Sequence, residues 1–209
     1  MEQSPSILII ACGALAKEIL ALRSLNHWPH MAVQCIPANL HNRPEKIPEA
    51  VRAKIRANRG KFASTFVAYG DCGTGGMLDA VLVEEGAERI PGAHCYEFFA
   101  GSCEFERMTE QEVGTFYLTD FLLKHFDRLI IAGLGIDKHP ELLSLYFGNY
   151  KKLVYLGQLH NEESLEAGRR AAVRLGLEFE YHFTGYGDLA QSLVHANATH
   201  TTNIISWQN

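Results

Sequence analysis

The feature that most constrains the fold is a short apolar run near the start of the chain, followed directly by a helical pattern. Residues 6–11 read SILIIA and contain no charged side chain, which is typical of a strand buried on both faces of a parallel sheet. The next segment, ALAKEILALRSL from residue 14, has the spacing of a helix. Together they predict a β-turn-α unit whose turn contains Cys12 and Gly13.

The same alternation of strand and helix continues along the chain. The strand-like segments are residues 6–11, 31–38, 64–70, 151–159 and 177–185, and the helix-like segments are residues 14–25, 49–60, 77–86, 161–176 and 187–196. Residues 127–135 fit either a helix end or a strand. We therefore predict an α/β fold: a Rossmann-like open, mainly parallel sheet flanked by helices. Residues 1–209 are expected to form a single domain, with the tail 196–209 either loose or an edge strand.

Composition and charge exclude several classes of function. The formal net charge is −5 and the pI is near 6.0, so there is no electrostatic reason to expect a nucleic-acid or membrane partner. Lys17 and Glu18 interrupt the apolar N-terminal stretch, and Glu2 precedes it, so it resembles neither a signal peptide nor a membrane span. The five cysteines contain no CxxC pair, which favours free thiols in a reducing cytoplasm.

Three of those cysteines fall at predicted strand-to-helix turns. Cys12 follows the first strand, Cys72 lies in the turn GDCGTGG after the third, and Cys95 lies at the start of a later helix. Ligands bind at the carboxyl ends of parallel strands, so these thiols are expected to converge. Three thiolates suit Zn²⁺ or an iron–sulfur cluster with one open iron. His94 and Glu97 are the nearest candidates for a fourth ligand.

The glycine-rich turn has a second interpretation, as an anion-binding loop. It lacks the Lys-Ser/Thr ending of a Walker loop and does not match GxGxxG, although helix N–H groups there are able to hold an anion. The candidate cofactor-contacting glycines are Gly13, Gly73, Gly75 and Gly76, and plain turn geometry is the alternative for each.

A further interpretation needs no metal. Cys72 or Cys95 is then a nucleophile and His94 its base. Against all these hypotheses, a single free cysteine is commonly a buried apolar residue, and we assign Cys35 and Cys103 that structural role. Glu18, nearly two helical turns beyond Cys12, is expected to face solvent.

Five segments, spread over about residues 6–193, form an ordered set: ACGALAKEI, YGDCGTGG, HCYEFFAGS, GTFYLTDFL and LGLEFEYHFTGYGDL. In this order they resemble the signature segments of the DUF1638 family of bacterial and archaeal proteins of unknown function. The resemblance implies that the thiols of Cys12, Cys72 and Cys95 belong to signature segments, whereas Cys35 and Cys103 do not. Where many members have Gly-Trp after YLT, this chain has Asp120-Phe121, so no role for that Trp is carried over.

The resemblance also implies a metabolic neighbourhood, because such proteins often occur beside corrinoid-dependent methyltransferase systems. The expected function is an enzyme or accessory enzyme of one-carbon metabolism with a Cys12/Cys72/Cys95 metal site, acting on a small-molecule substrate. The alternatives are a non-catalytic protein that binds a corrinoid protein, a metal or a small ligand, and a metal-free thiol enzyme. The apolar residues Ile204, Ile205 and Trp207 in a polar tail suggest a homodimer.

Overall fold

The computed structural model describes the backbone of residues 6–205 and the side chains of residues 6–198. The chain divides into two compact units. The first comprises Met1–Cys95 and Asp188–Asn209, and the second comprises Tyr96–Gly187. Each unit contains an all-parallel sheet with helices, so the predicted open α/β fold is confirmed.

The first unit is built on a sheet in the order β2-β1-β3-β4, in which every neighbouring pair is parallel. Its strands are β1 (Ile7–Cys12), β2 (Met31–Ile36), β3 (Ser64–Ala68) and β4 (Glu88–Arg89). Its helices are α1 (Ala16–Leu25), α2 (Ile47–Ala57), α3 (Met77–Glu85) and, from the C-terminal segment, α9 (Gly187–Ile205). All six residues of β1 are buried, as expected for a central parallel strand.

The order of the strands fixes where a ligand would bind in this unit. The chain passes from β1 to β2 on one side, then returns across β1 to β3 on the other. This reversal is a topological switch point, and ligands of open α/β sheets bind outside the carboxyl ends of the strands at such points. The carboxyl ends of β1 and β3 lead directly into the turns that contain Cys12 and Cys72.

The second unit contains a sheet in the order β5-β6-β7. Its strands are β5 (Thr115–Thr119), β6 (Lys152–Gly157) and β7 (Glu178–Phe183), and its helices are α4 (Cys95–Ala100, whose first residue ends the first unit), α5 (Ser102–Gln111), α6 (Asp120–Lys124), α7 (Leu142–Phe147) and α8 (Glu162–Leu175). Helix α8 begins as predicted, because the Asn161 side chain accepts a hydrogen bond of 3.0 Å from the backbone of Ser164. It ends at Gly176, whose φ of 72° gives the left-handed turn that glycine adopts without strain.

The structure departs from the sequence-based expectation in the tail, and it decides the conformation of one segment that the sequence left ambiguous. The ambiguous segment 127–135 contains a π-helix at Asp127–Ile131 rather than a strand. The tail, expected to be loose or an edge strand, is helical as far as Ile205, because it continues α9. The homodimer prediction rests on Ile204, Ile205 and Trp207, whose side chains lie outside the described residues. Within those residues, no helix combines the length and apolar character needed to span a bilayer.

Candidate functional site

The candidate site lies in the first unit, where β1 and β3 end side by side. Ala11 pairs with Ala68 across the two strands. The next residues are Cys12, the last residue of β1, and Tyr69, the first residue after β3, and they therefore lie side by side. Both are buried: Cys12 is 5% exposed and Tyr69 only 2%. A buried thiol and a buried phenol thus lie next to each other at the switch point.

The turn after β3 brings a second thiol to the same place. Cys72 is 5% exposed and has a positive φ of 49°, a left-handed conformation that is rare for residues with a side chain. Its backbone N–H donates to Ala93 at 2.7 Å, and that of Asp71 donates to Gly92 at 3.0 Å. These two bonds hold segment 92–95 against the turn and so bring Cys95 beside Cys72.

Cys72 and Cys95 form a hydrogen-bonded thiol pair. The Cys95 thiol and the backbone N–H groups of Cys95 and Gly70 donate to the Cys72 sulfur, and together they lower the pKa of the Cys72 thiol against the opposing effect of burial. The same contact, reinforced by burial, raises the pKa of Cys95. The pair therefore favours a thiolate at Cys72 and a protonated thiol at Cys95.

The Cys12 thiol is held by a different donor. The Tyr69 hydroxyl and the Ala14 backbone N–H both donate to its sulfur, but burial outweighs them and raises the Cys12 pKa to about 11. Tyr69 in turn has a raised pKa, first because it is buried and then because it lies close to the thiols of Cys12, Cys72 and Cys95. The three cysteines chosen from the sequence are thus neighbours around one phenol.

These thiols are the donor type that zinc and iron–sulfur centres prefer. Among the side chains of residues 6–198, no group of three or more His, Cys, Asp or Glu residues is placed to hold a metal ion. Cys72 and Cys95 are in direct contact, whereas Cys12 contacts Tyr69. The donor chemistry fits a thiophilic centre, and binding would require the three sulfurs to adjust around it.

The glycine turn is occupied by a side chain of its own. The Asp71 carboxylate accepts hydrogen bonds from the Thr74 hydroxyl at 2.7 Å and from the backbone N–H groups of Gly75 at 3.1 Å and Gly76 at 2.9 Å. The bond from Gly76, followed by that from Thr74, contributes most to lowering the Asp71 pKa to about 2. The N–H groups that would cradle a phosphate therefore hold this internal anion instead.

Gly13 and Gly73, the other glycines predicted to contact a cofactor, lie against neighbouring segments of the chain. A side chain at Gly13 would place its Cβ 3.2 Å from the Ile36 carbonyl oxygen, and one at Gly73 would lie 3.5 Å from Pro44. Gly13 thus lets the turn after β1 approach the end of β2 closely. The segment after β2, which includes Pro44, forms one wall beside the cysteine turn.

Two histidines belong to this region. His94 is half-buried and precedes Cys95, and His41, in the segment after β2, lies near enough for the charge of His94 to affect it. Desolvation, and secondly that charge, lower the His41 pKa. Glu97, the other candidate fourth ligand, is in α4 within the second unit.

The other cysteines are not among the thiols that lie beside Tyr69, although Cys35 is close enough to affect the pKa of Cys12. Cys35 lies half-buried within β2, and Cys103 is exposed on α5. The expectation that Glu18 faces solvent is wrong, because this residue is 4% exposed on the buried face of α1. Sequence reasoning also missed Tyr69, Asp71 and His41. The first two stand beside Cys72 in the same turn, whereas nothing local marks His41.

A family model described as "Protein of unknown function (DUF1638)" matches residues 35–193, which is most of the chain. The chain belongs to the DUF1638 family. No curated protein and no solved structure is matched. The DUF1638 match includes Cys72 and Cys95, together with the turns that hold them, and begins after Cys12.

Proposed function

We propose that Cys12, Cys72 and Cys95 bind a thiophilic metal centre, either a zinc ion or an iron–sulfur cluster. We further propose that the chain uses this centre as an enzyme or accessory enzyme of corrinoid-linked one-carbon metabolism. One observation carries the proposal: three buried thiols from three separate segments of the chain lie close to the Tyr69 hydroxyl, which follows β3 at the switch point of the first sheet.

Electrostatics explains why a cation suits this cluster. Three thiolates enclosed together repel one another, and burial removes the water that would otherwise stabilise them. Hydrogen bonds in which Cys95 and Tyr69 act as donors hold the thiols together. A bound cation would replace those protons and offset the repulsion.

Three protein ligands would leave one coordination position for a substrate or water. A zinc ion held by these residues would serve to polarise a substrate or activate a thiol, and an open cluster would supply redox or Lewis-acid chemistry. The chain itself contributes burial by Tyr69 and N–H donors from Gly70 and Cys95 that orient the Cys72 sulfur. His94 is our candidate for proton transfer beside the site.

Metal content tests this proposal. The protein is purified without oxygen, and zinc, iron and acid-labile sulfide are measured per chain. We expect stoichiometric metal in the wild type and its loss in Cys12→Ser, Cys72→Ser and Cys95→Ser. Cys35→Ser is the matched control, since this residue lies in the same sheet but outside the cluster, and it should keep the metal. Folded wild-type protein without metal, or equal loss in the control, would overturn the proposal.

The partner in one-carbon metabolism needs its own test, because the metabolic assignment rests on the family resemblance. The purified chain is immobilised and offered a corrinoid protein in its reduced and oxidised cobalt states. Retention in at least one state, lost in the Cys72→Ser variant, is expected for an accessory role at this site. Failure to retain the corrinoid protein in either state argues against it.

A second candidate function is a metal-free thiol enzyme with Cys72 as nucleophile. It is favoured by the donors that converge on the Cys72 sulfur, from Gly70 and Cys95. Labelling with a small alkylating reagent, followed by peptide mass spectrometry, should then modify Cys72 faster than Cys12 despite their equal exposure of 5%. Equal rates at the two thiols would contradict this function.

A further inference from the structure

The contact between Cys72 and Cys95 supports an inference about oxidation that does not depend on the metal proposal. Backbone hydrogen bonds join the turn that contains Cys72 to the segment that leads into Cys95, and the Cys95 thiol is a hydrogen-bond partner of the Cys72 sulfur. Both side chains are buried, at 5% and 7% exposed. Disulfide formation requires two thiols whose backbones already lie close together. The backbone around these two cysteines meets that requirement.

Two features hold the backbones together. The bonds from Asp71 to Gly92 and from Cys72 to Ala93, of 3.0 and 2.7 Å, tie the turn to the segment immediately before Cys95. In addition, a Cβ on Gly70 would lie only 3.2 Å from backbone atoms of His94, so the two segments are in close contact. Neither cysteine needs a large backbone movement to reach the other.

The other thiols are less suitable partners. Cys12 lies at the end of β1, and its sulfur already accepts hydrogen bonds from Tyr69 and Ala14. Cys35 is within β2, and Cys103 belongs to the second unit. Among the described cysteines, the contact thus selects a single pair.

We propose that Cys72 and Cys95 form a reversible intramolecular disulfide in the metal-free chain when it meets a low-molecular-weight disulfide. The Cys72 thiolate attacks one sulfur of the oxidant, forming a mixed disulfide and releasing the first thiolate. Cys95 then loses its proton, and its sulfur attacks Cys72 and expels the second thiolate. The two cysteines are oxidised to a disulfide, and the oxidant is reduced to two thiols. The two expelled thiolates take up two protons, one given up by Cys95 and one that Cys72 had released to solvent when it ionised.

This disulfide would place the site under redox control. It removes two of the three thiolates required by the metal centre, a consequence that rests on the proposed function. The disulfide itself does not, because it is measured on the metal-free chain. Detection of the disulfide in a chain that never binds metal would leave this inference intact and remove the proposed function.

The test uses the full-length chain, treated with a chelator and then with bis(2-hydroxyethyl) disulfide, a small oxidant suited to buried thiols. Free thiols are alkylated, and the digest is searched for linked peptides. We expect one linkage, between the peptides of Cys72 and Cys95, that is removed by dithiothreitol. The Cys12→Ser variant is the control and should form the same linkage.

A single substitution tests the mixed-disulfide step. Cys95→Ser should accumulate the mixed disulfide on Cys72, because the second thiol that would expel the bound half of the oxidant is missing. Absence of the Cys72–Cys95 peptide in the wild type, or a linkage to Cys12 in its place, would overturn the inference. So would a Cys95→Ser chain that gains no adduct while circular dichroism shows it folded.

Discussion

Both sheets are all-parallel, but their carboxyl edges are closed by different chemistry. In the second unit, Asp120 follows β5, and its carboxylate accepts hydrogen bonds from Tyr155 at 2.7 Å, Gln158 at 3.1 Å and Leu159 at 3.2 Å. In return, the Gln158 side-chain oxygen accepts a hydrogen bond of 2.8 Å from the backbone N–H of Asp120. In the first unit, the corresponding turns after β1 and β3 enclose thiols around Tyr69.

This difference separates a structural edge from a candidate functional one. At the second edge the Asp120 carboxylate accepts three hydrogen bonds, as buried structural groups normally do. At the first edge the buried Tyr69 hydroxyl donates to the Cys12 sulfur, and a thiol sulfur is a weak acceptor. One of them, Cys72, also has a φ of 49°, and such local strain concentrates at functional sites.

The largest effect on stability is expected from Asp120→Ala. It leaves the Tyr155 hydroxyl, on a side chain that is 1% exposed, and two backbone N–H groups without their acceptor. We expect a loss of about 3 kcal/mol in the free energy of unfolding, measured by urea denaturation. Metal content per folded chain should not change. Asp137→Ala, at an exposed position, is the control, and an equally small loss for both would show that the second edge is not held by Asp120.

Gly70→Ala tests the close packing of the first edge. The new Cβ would lie 3.1 Å from the Gly92 carbonyl oxygen and 3.2 Å from the His94 backbone, atoms in a segment held by hydrogen bonds. We expect a loss of about 2 kcal/mol and less disulfide between Cys72 and Cys95, by urea denaturation and peptide mapping.

Gly157→Ala, at the end of β6, is the matched comparison for Gly70→Ala. Its Cβ would lie 2.7 Å from the Tyr181 ring, but that ring is a movable side chain. The loss of stability should therefore be smaller than for Gly70→Ala. If Gly157→Ala lost more stability than Gly70→Ala, the backbone around Gly70 would have to move apart easily to admit a side chain.

Removing one hydroxyl from each edge compares the two kinds of acceptor. Tyr69→Phe removes a donor to the Cys12 sulfur, and we expect a loss of about 1 kcal/mol. Tyr155→Phe removes a donor to the Asp120 carboxylate, and bonds to charged groups are stronger, so its loss should be about 2 kcal/mol. Thermal and urea denaturation of both variants measures the difference. The reverse order would place the greater stabilisation at the thiol edge.

The sequence predicted those parts of the molecule that depend on local signals. The unbroken apolar run of β1, and Asn161 and Gly176 at the ends of α8, each determine their own conformation. The expectation that Cys12, Cys72 and Cys95 converge came from the rule that the carboxyl ends of parallel strands meet at the same edge. What was missed depends on pairing between distant segments. His41 lies near His94 through the segment after β2, and no local pattern marks it. The convergence of the thiols was expected, but the direct pairing of Cys72 with Cys95 depends on two backbone bonds between distant segments.

The smallest effect is expected at Asp71, whose carboxylate closes the first edge from the solvent side. Its pKa in the folded chain is about 2, below the ordinary value of 3.8, so the ionised form is favoured in the folded state. Its contribution to stability is present above about pH 4 and lost as the pH falls towards 2. Because the carboxylate is largely solvated, solvent screening keeps this contribution small.

Asp71→Asn tests that contribution, since the amide is never charged. Urea denaturation of wild type and variant between pH 7 and pH 2 should show the wild type more stable at neutral pH, with the difference shrinking only below about pH 4. A difference that is constant with pH would mean that the turn is held by its glycine geometry instead of the charge.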